Sequence, residues 1–302
     1  MYEDFVAEAK RRGRCLPDLL VRTTASDGET LIAGVFGDDA GAVRVVVLFH
    51  GAGANMNVGY LDLAKALHET GGDAVLVPDV RGHGMSSGDR GYAPSKKQVW
   101  SDVDTWIDFA RARYPRAQVV LAGHSAGSAL ALNYLTRHRC ANAAPIAAIV
   151  MVAPYWGARQ SLRNPSCRVA NDLHVPSFST SDAQVFMAYA LSGEERLRRE
   201  IAVRFNYPDE MARLADLVVG YTPEMAMAVS PLDVERQLRE LQTPTLVLAA
   251  EDDSLFCPDG LAAMASDAGN PAIHYERTAG DHLSCLYQAG PRIARWLQRE
   301  AA

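Results

Sequence analysis

A mainly parallel β-sheet covered by helices on both faces, an α/β architecture, is the fold class this sequence predicts. Three observations predict it. From residue 43 onward, short continuous apolar runs alternate with longer amphipathic runs, as expected of strands buried on both faces and joined by crossover helices. Glycine and proline stop these runs, as at Gly71-Gly72 and Pro115. The segment Gly123-His124-Ser125-Ala126-Gly127 then sits where an apolar run meets a run of helical composition. With 302 residues the chain can build one large domain with an inserted subdomain.

The elements follow in order. Residues 1–15 read as a short helix with Tyr2, Phe5, Val6 and Ala9 on one face. Leu20–Thr24 and Thr30–Phe36 flank Asp27-Gly28, a hairpin signature. Val43–Phe49 is a continuous apolar strand, broken only by Arg44, that runs into His50-Gly51-Ala52-Gly53. Tyr60–Thr70 has helical periodicity through Leu61, Ala64 and Leu67, and Gly71-Gly72 stops it. Ala74–Val77 is the next strand. Ser95–Tyr114 is a longer helix carrying Val99, Val103, Trp106, Ile107 and Ala110, ended by Pro115. Val119–Ala122 and Ile146–Val152 are buried strands, and Thr245–Ala249 and Ile273–Tyr275 are two more. Pro291–Gln298 closes the chain as a helix. In such sheets the functional loops gather at the C-terminal ends of the strands.

The alternation pauses between Pro154 and about Asp233. That stretch shows no convincing strand but several short helix candidates: Asp182–Leu191, Glu194–Phe205, Pro208–Val219 and Pro223–Val229. The expected division is a core over 1–153 and 234–302, with a helical cap at 154–233 inserted over the strand ends. Met187, Met211, Met225 and Met227, with Phe178, Phe186 and Tyr189, either line an apolar pocket or fill the cap's own core.

Composition excludes several classes. The chain is 48% hydrophobic and 22% charged, with a net charge of −6. Its cations are scattered, so no basic stripe offers itself to nucleic acid; Lys10-Arg11-Arg12-Gly13-Arg14 reads as a solvated face. No stretch approaches the ~18 apolar residues of a membrane span, and Met1-Tyr2-Glu3-Asp4 is unlike the start of a signal peptide. Cys15, Cys140, Cys167, Cys257 and Cys285 are odd in number and widely spaced. They read as free thiols of a cytoplasmic protein, not as a disulfide framework or a zinc site.

The chemistry centres on Ser125. A G-x-S-x-G turn between strand and helix exposes the serine hydroxyl and offers backbone N–H groups at the helix start to a developing oxyanion. A serine hydroxyl needs a base, and the base needs an orienting acid. Both are sought downstream, past late strands. Acid candidates are Glu251, Asp252 and Asp253. His282, in Ala279-Gly280-Asp281-His282-Leu283, is the candidate base, whereas His274 lies inside a strand. Ala52 is expected to give a second backbone donor, with His50 as a scaffold of its loop. His124 is expected to point away from the chemistry. Pro78–Gly88 holds no nucleophile; Asp79 and Arg81 are expected to pair or cap locally. His83 has no partner at metal-ligand spacing, so neither a metal nor a cofactor is expected.

Several of these segments, in this order, resemble the α/β-hydrolase superfamily. They are His50-Gly51-Ala52-Gly53, Asp79-x-Arg81-Gly82-His83-Gly84-x-Ser86, Gly123-His124-Ser125-Ala126-Gly127, Pro244-Thr245-Leu246 leading to Asp253, and Gly280-Asp281-His282. Within the superfamily the chain is similar to the monoacylglycerol lipase, lysophospholipase and serine-aminopeptidase-like branch. The resemblance implies the α/β-hydrolase fold with an inserted helical cap, a catalytic triad of Ser125, Asp253 and His282, and an oxyanion hole from the N–H groups of Ala52 and Ala126. Ala250-Glu251-Asp252-Asp253 matches the family's acid loop at its fourth residue, with Asp252 as the alternative. Many members carry Met and a second Gly in the elbow, where this chain has Ala126-Gly127-Ser128.

The expected activity is a serine esterase or lipase-like hydrolase acting on a small-molecule acyl ester through an acyl-enzyme on Ser125. Alternatives are a thioesterase, an acyltransferase or cyclase of a biosynthetic pathway, and a non-catalytic small-molecule-binding member of the fold. Oligomeric state is not legible.

Overall fold

The computed structural model describes residues 2–37, 41–140, 143–157 and 178–300, with side chains from Phe5 onward. The first half of the chain runs α1 (Tyr2–Arg12), β1 (Leu19–Thr24), β2 (Thr30–Phe36), β3 (Arg44–Phe49), α2 (Tyr60–Gly71), β4 (Ala74–Pro78), α3 (Lys96–Arg113), β5 (Gln118–His124), α4 (Ala126–Asn133) and β6 (Ala148–Val152). An intervening segment carries β7 (Ser179–Ser181), α5 (Ala183–Ser192), α6 (Glu195–Arg198), β8 (Val203–Phe205), α7 (Asp209–Leu214), β9 (Gly220–Tyr221) and α8 (Pro223–Ala228). The chain then returns through α9 (Val234–Glu240), β10 (Thr245–Ala250), α10 (Pro258–Asp267), β11 (Ile273–Thr278) and α11 (Leu286–Glu300).

An eight-stranded sheet is ordered β1-β2-β4-β3-β5-β6-β10-β11. The hairpin β1–β2 and the β2–β4 pair are antiparallel; every pairing from β4 through β3, β5, β6 and β10 to β11 is parallel. The continuous apolar strands have a simple cause. Val45, Val47 and Phe49 face one core with Val103, Trp106 and Leu130, while Val46 and Leu48 face the other with Leu63, Leu67 and Ile293. Both faces of the central strands are covered, so their residues are mostly apolar, with Arg44 at the start of β3 paired to buried Asp73 (2.8 Å).

Local signals set the helix ends. Ser95 caps α3 by accepting from the Gln98 N–H, and Gly72 ends α2 in the left-handed region at φ 71°. α11 begins at Leu286, five residues before Pro291, so that proline sits inside the helix and not at its first turn.

Two expectations change. The intervening segment holds a small antiparallel sheet, β7-β8-β9, where the sequence reading found only helices. Strands of two or three residues are too short to show a period, and Val203-Arg204-Phe205 sits inside the 194–205 stretch whose composition reads as helical. Asp79 and Arg81, expected to pair or cap locally, do not pair with each other: Asp79 caps its own loop, whereas Arg81 reaches partners far along the chain. Arg81 is buried and forks between Asp102 on α3 (2.5 and 2.8 Å) and Asp27 in the hairpin turn (2.9 and 3.1 Å). Asp79 accepts from the N–H groups of Met56 (2.7 Å) and Met85 (2.8 Å), joining the loops after β3 and β4.

Cys15, Cys140, Cys257 and Cys285 are free thiols, while Cys167 lies outside the described residues. Among the described residues no helix is long and apolar enough to cross a membrane.

Candidate active site

Ser125 sits on the turn between β5 and α4 with φ 52° and ψ −117°. A non-glycine residue there stores roughly 1–3 kcal/mol of backbone strain. The bonds around it hold that conformation: its N–H donates to the Val152 carbonyl (2.9 Å), and its carbonyl accepts from Tyr155 (3.1 Å) and Ser128 (3.1 Å). The flanking glycines are steric requirements. A Cβ on Gly123 would lie 2.2 Å from the Gly127 carbonyl carbon, and one on Gly127 would lie 2.3 Å from the Phe49 oxygen. Strand, helix and the end of β3 pack closely only without those carbons.

The candidate residues converge. His282 Nε2 lies 3.1 Å from Ser125 Oγ, and His282 Nδ1 lies 2.9 Å from Asp253 Oδ2. The other Asp253 oxygen accepts from the N–H groups of Leu255 (2.8 Å) and Phe256 (2.9 Å). Burial pushes the Asp253 carboxyl up, but His282 and those two N–H groups outweigh it and hold the carboxyl below its ordinary range. A charged Asp253 accepts a hydrogen bond from Nδ1–H, which fixes the proton there and leaves Nε2 free to accept from the serine. Asp253, His282 and Ser125 are all buried, whereas Glu251 and Asp252 are exposed. The Phe256 ring packs edge-on against His282, with centroids 5.1 Å apart.

A narrow cleft opens over Ser125 and His282. Its wall is largely apolar, formed by Ala54, Val58, Phe178, Met211, Leu217 and Leu283, and among the described residues it carries no Asp, Glu, Lys or Arg. Of the four methionines weighed above, only Met211 lines it. Met225 is fully buried in the core and Met187 is exposed. Ala52 lines the cleft and Ala126 begins α4. Neither N–H donates to a protein acceptor among the described residues.

Three histidines form the underside. His50 receives the Val80 N–H on Nε2 (3.0 Å) and donates from Nδ1 to the Gly51 carbonyl (2.9 Å), the scaffold role expected of it. His124 is closer to the site than expected: its ring centroid is 4.8 Å from that of His282, and its Nε2 donates to the His282 carbonyl (2.8 Å). Burial lowers His50 to about 4, and lowers His83 and His124 to about 3, the last two helped by neighbouring His50 and His282 respectively. The polar partners that sequence reasoning missed are Tyr60, Tyr207 and Tyr221. No local pattern marks a tyrosine whose partner is a backbone group far along the chain. No group of three or more His, Cys, Asp or Glu positioned to hold a metal occurs among the described residues.

Comparison with known proteins gives this arrangement a context. Residues 41–280 match the family model Hydrolase_4, described as serine aminopeptidase, S33. An uncharacterized abhydrolase domain-containing protein of Dictyostelium discoideum is 26% identical over 249 residues, 77% of this chain and 23% of that protein. The chain thus spans about a quarter of that relative's length. The phospholipase YtpA of Bacillus subtilis (strain 168) is 26% identical over 215 residues, 70% of this chain and 77% of that protein. Among solved structures, the monoacylglycerol lipase of Paleococcus ferrophilus superposes with a TM-score of 0.56 at 19% identity, covering 89% of this chain and 99% of that one.

Proposed function

The chain belongs to the serine aminopeptidase, S33, family of α/β hydrolases, and on that premise we propose that it is a serine esterase cleaving uncharged carboxylic esters through an acyl-enzyme on Ser125. The observation that carries the reading is the continuous hydrogen-bonded line from Asp253 through His282 to Ser125 at the floor of an apolar cleft.

In the proposed reaction Ser125 Oγ attacks the ester carbonyl carbon as His282 Nε2 takes its proton. Asp253 holds the imidazole and stabilises its positive charge. The carbonyl oxygen becomes an oxyanion that receives the N–H groups of Ala52 and Ala126; one such donor is typically worth about 100–1000-fold in rate. His282 returns the proton to the departing alcohol. Water, deprotonated by the same imidazole, then cleaves the acyl-serine ester and releases the acid. The described residues between Pro154 and Asp233 act as the cap, since Phe178, Tyr207, Met211 and Leu217 supply one wall of the cleft.

The cleft also bears on substrate charge. An aminopeptidase must hold a free ammonium group, and burying an unpaired charge is costly. No carboxylate lines this wall among the described residues, which supports an uncharged acyl group over an amino-terminal residue. The name of the relative YtpA, a phospholipase, favours a lipid substrate over a peptide.

The test is a fluorophosphonate probe on wild type and Ser125→Ala, read by intact mass, with a panel of p-nitrophenyl esters and matched thioesters of increasing acyl length. One adduct on wild type, none on the variant, and turnover of neutral esters are expected. A folded wild type that takes no adduct and turns over no ester overturns the reading.

A further inference from the structure

The loop that presents Ala52 is braced by two similar relays. On one side, the Gly51 N–H donates to Tyr60 Oη (2.8 Å), Tyr60 O–H donates to His124 Nδ1 (2.9 Å), and His124 Nε2–H donates to the His282 carbonyl (2.8 Å). On the other, the Gly53 N–H donates to Tyr221 Oη (2.8 Å), Tyr221 O–H donates to His83 Nε2 (2.9 Å), and His83 Nδ1–H donates to the Arg81 carbonyl (2.9 Å). The proton directions follow from the ends of each relay. An amide N–H can only donate and a carbonyl can only accept, so each tyrosine gives its proton to an imidazole, and each imidazole is a neutral, fixed tautomer. Burial keeps both imidazoles neutral.

The remaining groups of the loop are also engaged. The Gly51 carbonyl, on the same peptide plane as the Ala52 N–H, accepts from His50 Nδ1 (2.9 Å) and the Ala54 N–H (3.2 Å). The Ala52 carbonyl accepts from Tyr207 Oη (2.6 Å), and the Gly53 carbonyl accepts from the Val218 N–H (2.8 Å). From the Gly51 N–H to the Gly53 carbonyl, every backbone polar group is bonded within the described residues except the Ala52 N–H. Its neighbours are pinned on both sides, and Ala52 lines the cleft together with Ser125.

We infer that Tyr221, together with Tyr60, is a positioning residue: the two tyrosine–histidine relays lock the peptides flanking Ala52, so that its N–H is aimed in advance at the oxyanion. Tyr60 belongs to the core, at the start of α2. Tyr221 and Tyr207 come from the cap. The cap therefore completes the oxyanion site as well as covering the cleft. Substitutions at Tyr221 act on the transition state and not on substrate binding, because Tyr221 is buried and does not line the cleft. The inference rests on the esterase reading of Ser125.

The test compares Tyr221→Phe and Tyr60→Phe with Tyr189→Phe. Tyr189 is another cap tyrosine, whose hydroxyl donates to Glu224 (2.7 Å) away from the loop. Phenylalanine preserves the rings, which at position 221 pack against Phe205 (centroids 4.8 Å) and His83 (5.4 Å). Three quantities are read: kcat and KM on a p-nitrophenyl ester, and Ki for a trifluoromethyl ketone, which adds the serine to form a tetrahedral oxyanion. Tyr221→Phe and Tyr60→Phe are expected to lower kcat by about 10- to 100-fold and to weaken the ketone in parallel, with KM within about twofold in Tyr221→Phe, whose side chain does not line the cleft. Tyr189→Phe is expected to match wild type. Wild-type kcat in both Tyr221→Phe and Tyr60→Phe overturns the inference, as does a kcat loss with unchanged ketone affinity or an equal loss in Tyr189→Phe. A wild type with neither turnover nor fluorophosphonate labelling instead overturns the esterase reading, which separates the two failures.

Discussion

Replacing Asp253 by Asn keeps the side chain's volume but removes its charge and reverses one hydrogen bond. Oδ1 of the new side chain still accepts from Leu255 and Phe256, as Asp253 does at 2.8 and 2.9 Å. Those two bonds orient the amide and turn its NH2 toward His282 Nδ1, where the carboxylate now sits 2.9 Å away. An NH2 group only donates, so Nδ1 must accept and the imidazole proton moves to Nε2. Nε2–H then points at Ser125 Oγ, 3.1 Å away, as a donor and cannot take the serine proton. Loss of the correct tautomer in such a constellation costs about 10⁴-fold in kcat, or about 5.5 kcal/mol of barrier. Stability is expected to change far less, since volume and backbone bonds persist. The assay is kcat on a p-nitrophenyl ester beside the urea midpoint, with exposed Asp252→Asn as the control. A loss below tenfold in Asp253→Asn, or a comparable loss in Asp252→Asn, would show that Asp253 does not set the tautomer.

Three further outcomes follow from the same geometry. Gly127→Ala places a Cβ 2.3 Å from the Phe49 oxygen and 2.6 Å from the His50 oxygen; it should cost about 3 kcal/mol or more by urea unfolding, and a midpoint equal to wild type would contradict the packing argument. Arg81→Met leaves Asp102 buried without its cation and should cost about 3–5 kcal/mol, with Arg81→Met/Asp102→Leu recovering part of the loss. Stability should fall with acid: His50, lowered to about 4, and His83 and His124, lowered to about 3, contribute stability that is whole above the ordinary 6.5 and drains as pH falls toward those values. Asp79, pushed up to about 6 by burial, opposes them, because folding favours its protonation between about 6 and its ordinary 3.8. For these four groups the net is a loss of several kcal/mol between about pH 7 and 5, and a urea midpoint constant over that range would refute it.

What could be read in the sequence was local. The central strands announce themselves because both faces are buried, and the elbow does so because Gly123 and Gly127 are required by contacts with residues nearby in the fold. His282 could be placed by its position after the last strand. The choice of Asp253 over Asp252 needed the family's loop pattern, since adjacent carboxylates look alike until the backbone turns one inward and leaves the other exposed. The brace around Ala52 was not legible. Tyr221 meets Gly53 across 168 residues and His83 across 138, and nothing in a tyrosine's immediate sequence says where its hydroxyl will land. The same holds for Arg81, whose two carboxylate partners lie on the hairpin turn and on α3.

Strand order explains why these distant residues can act together at all. β5, which carries Ser125 at its end, lies between β3 on one side and β6, β10 and β11 on the other. The loop with Ala52 leaves the strand next to β5, one spacing of about 4.8 Å away. The loops with Asp253 and His282 leave strands two and three positions distant on the opposite side, roughly 10 and 14 Å away. The proposed oxyanion donor and the proposed acid–base pair therefore approach the serine from opposite sides and do not compete for space. Having further to reach, the His282 loop is tied down at its carbonyl by His124, the residue just before the serine, and by the Cys285 thiol. Tyr60 extends the same line to Gly51. One buried chain of hydrogen bonds thus joins the base's loop to the oxyanion loop beneath the reacting atoms, and a disturbance of His124 should be felt on both sides of Ser125.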